Sequence, residues 1–349
     1  MKKENDKKYS ILLPGACTCM TLTSKSGKHY WFRTCDIETD IWEDGAHVVQ
    51  QEAGTEITYF DGKTEKVKYS YLGMTYNRLD TWLLDGENQC GLTGGLLMLY
   101  EGTSVDKPMN GKSGYLGMEL VTKILSSCKD VEEVKELVKQ IQVLDIPYGE
   151  RSVPATMHYF FVDGTGDEVI LEATDTENPG IFTIYSKEEI LGVMTNSPPY
   201  REQLQNLSWF LSQSPEMRQG LQGQAITELT LDGRRIKAEK NAKHLSKTGT
   251  FPASYSSYDR FIRIAVLKAL NNSGNEFEDE KMLAYGSNLM NTVNEPRNLG
   301  LFHYTRIEED GTITGQKDSY TQYLIMYDID AKCFHRKKYD EIIWKKYNL

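Results

Sequence analysis

The first regular segment of the chain predicts a β-hairpin, and a hairpin commits both of its strands to one antiparallel sheet. Residues 18–23 are mainly β-branched or apolar, and residues 29–33 form a second run that is rich in aromatic side chains. The intervening residues 24–27 end in glycine. Two such runs around a short glycine-containing segment are typical of strands joined by a tight turn. Residues 18–33 are therefore predicted to form paired strands.

The position of this turn also predicts which residues of the hairpin lie opposite each other. With the turn centred on residues 26–27, antiparallel pairing sets Cys17 opposite Cys35 or Asp36 and places Cys19 near Arg33. A thiol, a guanidinium and a carboxylate thus meet at one end of the hairpin.

Other strands are predicted farther along the chain. Residues 159–162 and 169–171 are apolar runs around the turn-forming segment 163–166, which predicts a second hairpin. Residues 320–328 and 333–339 have the same strand-like pattern. Strands are therefore grouped towards both ends of the chain.

Helices are predicted between these groups of strands. Asp130 and Glu133 form a capping-box pattern, and apolar residues then recur at helical spacing: Val131, Val134, Leu137, Val138 and Ile141. Similar apolar stripes lie near 114–128, 204–211, 261–267 and 283–293. Paired helices between groups of strands favour an α+β fold in which two packed sheets are covered by helices.

Composition limits the partners of the chain. The 349 residues show no internal repeat and no low-complexity linker, which favours a single domain over 17–349. A net charge of −10 gives no broad positive surface, so we expect no nucleic-acid partner. No stretch reaches the roughly 20 apolar residues of a spanning helix. The six cysteines have no C-x-x-C pair and no repeated spacing, which fits a reducing, cytoplasmic location.

The first 16 residues allow more than one interpretation. Their lysines resemble a secretory signal, but the apolar run 11–13 meets Pro14 and is shorter than the usual signal core. Residues 12–17 also resemble a lipoprotein cleavage site. A lipid-anchored, non-catalytic binding protein is therefore an alternative to an enzyme.

Common catalytic signatures are absent from the sequence. There is no G-x-S-x-G, no phosphate-binding G-x-x-x-x-G-K-[ST] and no zinc-type H-E-x-x-H, so a metal or nucleotide site loses support.

The candidate catalytic group that remains is Cys17, Arg33 and Asp36. If the peptide bond before Cys17 is cut, the freed α-amino group can act as the general base for the thiol of the same residue. Arg33 would lower the pKa of that amine, and Asp36 could orient it.

Five segments together resemble the choloylglycine hydrolase family, which includes bile salt hydrolases and penicillin V acylases. CTCMTLTSKSGKHYWFRTCDIE (17–38) resembles the start of the mature enzymes, and GVMTNSP (192–198) resembles their L-T-N-S-P element. SSYDRFIRIAVL (256–267), the segment 152–174 and the segment 130–147 are also similar to family segments, in the same order. The resemblance covers almost everything after residue 16.

The resemblance implies a fold and an activity. It implies a four-layer αββα N-terminal-nucleophile fold, with two antiparallel sheets covered by helices, and hydrolysis of linear amide C–N bonds without metal or cofactor. It also implies a propeptide, here residues 1–16, that is removed autocatalytically. The partner would be a small-molecule acyl amide. We expect a homo-oligomer, a tetramer or a dimer, because 207–250 occupies the place of the family's assembly loop.

Residue by residue, the resemblance implies five catalytic positions. Cys17 matches the nucleophile, while Arg33 and Asp36 match the residues that hold thiolate and amine. Asn196 matches the side-chain donor of the oxyanion hole. Arg260 matches the second active-site arginine, although a helix-start arginine paired with Asp259 is the plain structural interpretation.

The sequence also departs from the family pattern. Met98 stands where bile salt hydrolases carry asparagine and penicillin V acylases carry tyrosine, so a side-chain contribution to the oxyanion hole is in doubt there. Cys19 stands where glycine or serine is usual. The predicted pocket residues, each of which could equally belong to the core, are Cys35, Met98, Tyr100, Ile146 and Tyr148.

Several substrates stay open at this point. The apolar run 97–99 favours the steroid body of a glycine- or taurine-conjugated bile salt, whereas the Arg33-Thr34 pair looks more like a penicillin V acylase. Other N-acyl amides, such as acyl homoserine lactones, are further candidates. The same acyl-enzyme could also pass its acyl group to an amine instead of water.

Overall fold

The computed structural model describes residues 17–37, 40–76, 79–145, 156–212, 228–231, 234–237, 252–297, 303–307 and 313–349. The predicted propeptide 1–16, the pocket candidates Ile146 and Tyr148, and most of 207–250 lie outside the described residues.

The strands alternate with few helices along the chain. From the start to the middle of the chain the strands are β1 (Thr18–Thr23), β2 (His29–Ile37), β3 (Val48–Gln51), β4 (Glu56–Thr58), β5 (Thr64–Lys66), β6 (Tyr71–Tyr76), β7 (Leu79–Asn88), β8 (Thr93–Met98), β9 (Ser113–Leu116), β10 (Ile141–Leu144), β11 (Met157–Val162), β12 (Glu168–Glu172), β13 (Thr183–Ser186) and β14 (Val193–Thr195). The later strands are β15 (Glu228–Leu231), β16 (Arg234–Lys237), β17 (His303–Ile307), β18 (Ile313–Asp318), β19 (Tyr320–Asp328), β20 (Cys333–Lys338) and β21 (Lys345–Asn348).

The described α-helices are α1 (Leu120–Ser127), α2 (Val131–Val138), α3 (Tyr200–Ser212), α4 (Ser257–Leu270) and α5 (Met282–Asn291). Asp130 is the N-cap of α2, and its carboxylate accepts a hydrogen bond from the Glu133 N–H at 2.9 Å. Ser256 caps α4 through the Asp259 N–H in the same way. None of these helices is long and apolar enough to cross a membrane.

The first large sheet has the strand order β14-β1-β2-β19-β20-β21, with every neighbour antiparallel. Its centre is the predicted hairpin: Thr18 pairs with Thr34, and Cys19 pairs with Arg33. The register continues to Cys17 opposite Cys35, which is one of the two predicted pairings. The sequence placed this hairpin correctly because its turn is short and its strands are strongly apolar.

The second large sheet has the order β13-β12-β11-β8-β7-β6-β3 and is also antiparallel. Its β11–β12 pair is the second predicted hairpin. Shorter pairs lie outside the two sheets: β9 with β10, which is parallel, and the hairpins β4–β5, β15–β16 and β17–β18.

The two sheets pack face to face. Strand β2 belongs to the first sheet, and its residues are buried on both faces of the strand. Trp31 packs on the second sheet, where a Cβ at Gly95 would come within 3.0 Å of its ring. The next residue, Phe32, points the other way and packs on α5, where a Cβ at Gly286 would lie 2.1 Å from its ring. Both glycines are therefore required for close packing. The resulting order of layers is helix, sheet, sheet, helix, with α4 and α5 on the first sheet and α1 on β7 and β8 of the second.

Two details of the predicted helices are wrong. Residues 114–116 belong to β9, so α1 begins only at Leu120. Ile141 lies in β10 and not on α2, because the helix ends at Val138 and residues 139–140 form a turn before the strand. The apolar spacing of Ile141 matched a helix only by coincidence with the start of a buried strand.

Candidate active site

Cys17 directly precedes β1, at one end of the first sheet, between two neighbouring strands. The register of β1 with β2 sets Cys35 opposite Cys17 on one side. On the other side, Thr18 pairs with Thr195 of β14, so Asn196 follows opposite Cys17. Three of the residues discussed from the sequence are therefore brought together by strand register alone.

Arg33 holds the sulfur of Cys17 from the same face of the sheet. Its Nη2 donates to Cys17 Sγ at 3.4 Å, and its Nη1 donates to Leu84 O at 2.5 Å. The guanidinium is 1% exposed and forms an ion pair with Asp85, at 3.1 Å between Nη1 and Oδ2. Its orientation is thus fixed by the second sheet before it meets the thiol.

Asp85 was missed by reasoning from the sequence. Its carboxylate is fully buried and accepts two phenol hydrogen bonds, from Tyr323 at 2.6 Å and from Tyr327 at 2.7 Å. A buried carboxylate needs such partners to remain charged beside Arg33. An aspartate directly after the apolar run 82–84 was the available signal, but its partners lie far away in sequence.

The pKa values distinguish Cys17 from the other cysteines, all six of which are described. A hydrogen bond from the Cys35 thiol and the charge of Arg33 hold the pKa of Cys17 well below its usual range, against the effect of burial. Burial instead raises the pKa of Cys19 and of Cys35 well above the ordinary value. The pKa values of the remaining three thiols are also raised by burial. Cys17 is therefore the cysteine that is poised to ionise.

Asp36 lies on the opposite face of β2, turned away from the second sheet. Its Oδ2 accepts a hydrogen bond from Thr34 Oγ1 at 2.9 Å, and its Oδ1 accepts one from Thr321 Oγ1. Burial, followed by the negative charge of Glu295, raises the pKa of this carboxyl well above its ordinary value. Asp36 is close to Cys17 through its backbone, since Cys17 Sγ donates to Asp36 O at 3.9 Å.

Asn196 connects the two sheets beside Cys17. Its Nδ2 donates to Met98 O at 3.2 Å, and its Oδ1 accepts from Arg260 Nη2 at 3.2 Å. Because arginine only donates and a carbonyl only accepts, these two partners determine which way the amide points. The backbone of Asn196 is held as well, by Ser257 Oγ at 2.8 Å.

Arg260 enters the site from the first turn of α4. Its Nη1 donates to Cys17 O and to Thr18 Oγ1, each at 2.6 Å, and its Nε donates to Tyr255 O at 2.9 Å. The side chain is 1% exposed, so this is a buried cation that touches both Cys17 and Asn196. The alternative that Arg260 only pairs with Asp259 at the helix start does not describe these contacts.

The predicted pocket residues fall into two groups. Met98 is buried at the end of β8, and Tyr100 is exposed in the turn that follows, with its N–H donating to Ser197 Oγ at 2.7 Å. Both therefore lie beside Asn196. Cys35 is completely buried against Cys17.

Comparison with known proteins relates the whole arrangement to one enzyme family. The family model described as linear amide C–N hydrolases, choloylglycine hydrolase family, matches residues 17–349. The match begins at Cys17, the residue singled out by the geometry.

Individual relatives agree with this match. The chain is 27% identical over 255 residues to the bile salt hydrolase/transferase of Clostridium perfringens, an alignment that covers 72% of this chain and 71% of that protein. It is 23% identical over 336 residues to the conjugated bile acid hydrolase of Lactobacillus acidophilus, which covers 95% of this chain and 96% of the relative.

Solved structures show the same fold. A mutant of the conjugated bile acid hydrolase from Clostridium perfringens superposes with a TM-score of 0.72 at 21% identity, covering 95% of this chain and 92% of that one. Penicillin V acylase from Agrobacterium tumefaciens superposes with a TM-score of 0.64 at 17% identity, covering 95% and 86%. The predicted four-layer αββα architecture, with two antiparallel sheets covered by helices, is confirmed.

Proposed function

The chain belongs to the choloylglycine hydrolase family of linear amide C–N hydrolases, and on that premise we propose that Cys17 is the N-terminal nucleophile of an enzyme that deconjugates glycine- or taurine-conjugated bile salts. The single observation that carries the choice of nucleophile is the pair of contacts to the sulfur. Arg33 Nη2 donates to it at 3.4 Å, and a hydrogen bond from the Cys35 thiol is the largest cause that lowers its pKa. Both contacts favour the thiolate, which is the reactive form of cysteine.

The proposed reaction begins when the Cys17 thiolate attacks the amide carbonyl. A C–S bond forms, and the carbonyl oxygen becomes an oxyanion. The C–N bond then breaks, glycine or taurine leaves with a proton, and the acyl group remains on Cys17 as a thioester. Water attacks this thioester in the second half of the reaction, which releases the free acid and the thiol.

Asn196 is proposed to stabilise the oxyanion. Arg260 holds its Oδ1, so the Nδ2 group is presented towards Met98 and the inner side of the sheet. One side-chain donor of this kind can contribute about 10²–10³ in rate. The Met98 side chain has no N–H or O–H to donate, and its carbonyl serves instead to align Asn196. We therefore expect any second donor at this position to be a backbone N–H group.

The α-amino group of Cys17 is proposed to act as the general base after residues 1–16 are removed autocatalytically. Gly15 and Ala16 present little bulk to a Cys17 thiol that attacks the preceding carbonyl. Asp36 is the proposed partner of the freed amine, because its buried carboxylate belongs to the residue whose carbonyl the thiol contacts. Residues 17–349 would then form one catalytic domain.

Bile salts are proposed as substrates for two reasons. The similar proteins of Clostridium perfringens and Lactobacillus acidophilus carry the names bile salt hydrolase/transferase and conjugated bile acid hydrolase. In addition, Met98 at the end of β8 lies beside Asn196, and Tyr100 follows at the exposed edge. A buried apolar side chain with an exposed aromatic neighbour suits a steroid body. Ile146 and Tyr148 stay predicted members of the same pocket.

A direct comparison of substrates tests this choice. Glycocholate, taurocholate, penicillin V and an N-acyl homoserine lactone should be assayed in parallel with the same enzyme preparation. We expect kcat/KM to be highest for a conjugated bile salt. A higher kcat/KM for penicillin V, which the Arg33-Thr34 pair would favour, or for the lactone, would overturn the choice of substrate and leave the amide hydrolase.

Acyl transfer is a second candidate activity of the same site, since one relative is named a hydrolase/transferase. Water and an amine differ only in their access to the thioester on Cys17. Adding a free amino acid to the glycocholate reaction should give a new acyl amide if transfer occurs. Formation of cholate alone, at every concentration of the added amine, would count against transfer.

We further propose that the enzyme acts in the cytoplasm as a homo-oligomer. The alternative of a lipid-anchored binding protein predicts that the chain partitions into the membrane fraction through Cys17 and tolerates Arg33→Ala. Fractionation of cells that express the chain distinguishes the two. Hydrolase activity in the membrane pellet would contradict a cytoplasmic enzyme.

A further inference from the structure

A second carboxyl group, Glu295, lies on the outer face of the first sheet behind Asp36. It follows α5 in the chain and is 1% exposed. Ser319 Oγ donates to its Oε2 at 3.0 Å, while its Oε1 is buried without a hydrogen-bond partner among the described residues. A buried carboxylate oxygen without a partner is costly, so a position of this kind calls for a functional explanation.

Thr321 connects Glu295 to Asp36. The Thr321 hydroxyl accepts a hydrogen bond from the Glu295 N–H at 2.8 Å and donates to Asp36 Oδ1. The Thr321 N–H in turn donates to Glu295 O at 3.0 Å. Strand β19 therefore ties the segment that carries Glu295 to the carboxyl group of Asp36.

The charges around this pair come from three elements. The titratable and charged groups that face Glu295 are Asp36 and Cys17 of the first sheet and Arg260 of α4. Burial, only partly opposed by the cation Arg260, raises the pKa of Glu295 to about 7. Two neighbouring buried carboxyl groups cannot both ionise without cost, because the negative charge of one raises the pKa of the other.

We propose that Glu295 is a positioning residue of this reaction, which acts through Thr321 and Asp36 to set the pH range in which the amine of Cys17 is a free base. The inference rests on the proposed function, because it assigns Glu295 to the same nucleophile and amine. Glu295 does not need to touch the substrate for this role. Its charge reaches Asp36 and Cys17 across the buried outer face of the sheet.

Removal of the Glu295 charge lowers the pKa of each group that this charge reaches. A negative neighbour favours the protonated form of a carboxyl, of a thiol and of an amine. Without it, Asp36, the Cys17 thiol and the α-ammonium all lose their protons at lower pH. The acid limb of kcat/KM, which reports ionisations of the free enzyme, should therefore move to lower pH.

The test compares Glu295→Gln with Glu119→Gln. Glu119 is a matched control, because it is also a buried carboxyl whose pKa burial raises to about 7, yet its partners are the N–H groups of Phe60 and Leu116. For E295Q we expect a several-fold larger share of the plateau kcat/KM at about pH 7, where the wild-type carboxyl is partly charged, with KM unchanged. For E119Q we expect the wild-type pH profile.

A second measurement separates this inference from the proposed function. The rate at which iodoacetamide alkylates Cys17 can be followed against pH without any substrate, and its profile should shift in E295Q as kcat/KM does. Superimposable profiles of E295Q and wild type, in an enzyme that hydrolyses bile salts, would overturn the role of Glu295 alone. If the wild-type enzyme hydrolyses bile salts while its intact mass still includes residues 1–16, Cys17 has no free α-amino group. That result would contradict the proposed mechanism itself.

If E295Q does not fold, the Thr321 connection provides the alternative variants. Thr321→Ser keeps the hydroxyl that bridges Glu295 and Asp36, whereas Thr321→Val removes it. We expect T321S to retain the wild-type profile and T321V to lower kcat with little change in KM. Equal kcat values for T321S and T321V would contradict a role of the bridge.

Discussion

Cys17 differs from the neighbouring cysteines in the hydrogen bonds that its sulfur accepts. Cys19 is two residues along the same strand face and is more deeply buried, but burial raises its pKa without a compensating hydrogen bond from a cation. Hydrogen bonds from the Cys35 thiol and from Arg33, whose guanidinium pairs with Asp85, make the difference between two otherwise similar thiols. Single contacts to the sulfur thus decide which thiol has the lowered pKa.

The first prediction compares these two thiols. Cys17→Ala should lower kcat/KM by about 10³-fold or more, as expected when a nucleophile that acts with its base is removed. Cys19→Ala should keep activity of the wild-type order, since its thiol is protonated. The assay is steady-state hydrolysis of glycocholate by both variants, with circular dichroism to confirm folding. Equal loss of activity in both variants would contradict the assignment.

The second prediction concerns Asp85. Asp85→Ala leaves Arg33 as an unpaired buried cation and removes the acceptor of two phenols, so the free energy of unfolding should fall by about 3–5 kcal/mol. Tyr327→Phe removes one hydrogen bond and should cost only about 1 kcal/mol. Urea denaturation measures both. A D85A variant as stable as Y327F would show that Arg33 does not depend on this ion pair.

At the level of residues, the sequence predicted the groups that lie close in the chain or match a motif. Arg33 and Asp36 could be predicted, because the hairpin brings them to Cys17 within 19 residues. Asp85 and Glu295 could not, since they reach the site from other strands and loops. Burial and long-range hydrogen bonds, which make these carboxyl groups important, are not visible in a single sequence.

Among the elements, the β4–β5 hairpin is attached to α1 by Glu65. Its carboxylate accepts hydrogen bonds from Lys123 at 2.7 Å and from Tyr115 at 2.5 Å, and it pairs with Lys63. Burial opposes ionisation, but these partners prevail and lower the pKa of Glu65 to about 2. A depressed pKa means that the folded state favours the charged form.

The third prediction follows from this sign. The contribution of Glu65 is present above its unfolded pKa of about 4.3 and is lost as the pH falls towards about 2. Glu65→Gln should therefore cost about 1–2 kcal/mol at neutral pH, and the difference from wild type should vanish in acid. Glu56→Gln, an exposed position on the same hairpin, is the control. Urea midpoints across this pH range measure it, and a pH-independent cost for E65Q would contradict the linkage.

Elements were predicted best where turn chemistry and apolar pattern agreed. The hairpins β1–β2 and β11–β12 have glycine-containing turns between apolar runs, and both were predicted with their strands. Helix ends were predicted less well, since Ile141 continued the apolar spacing of α2 while already belonging to β10. Periodicity alone does not distinguish a buried strand from one more helical turn.

At the scale of the whole molecule, the site depends on contacts between residues that are distant in sequence, both within the first sheet and between the two sheets. Cys17 and Asn196 meet through β1 and β14, while Arg33 and Asp85 meet across the interior between the sheets. The order of strands in each sheet was not predictable from local pattern, because it is set by which faces can be buried together. The family resemblance supplied the architecture instead.

The fourth prediction is that the enzyme is a homo-oligomer, a dimer or a tetramer, in solution. We expect multi-angle light scattering to give a mass of two or four times the protomer mass. A mass that corresponds to one protomer across the working concentration range would contradict this assembly.

The most direct test of the N-terminal nucleophile is the intact mass of the active enzyme. The mechanism requires a free α-amino group on Cys17, so the mass should correspond to a chain that begins at Cys17, and Cys17→Ala should keep residues 1–16. A fully active protein whose mass retains residues 1–16 would contradict it.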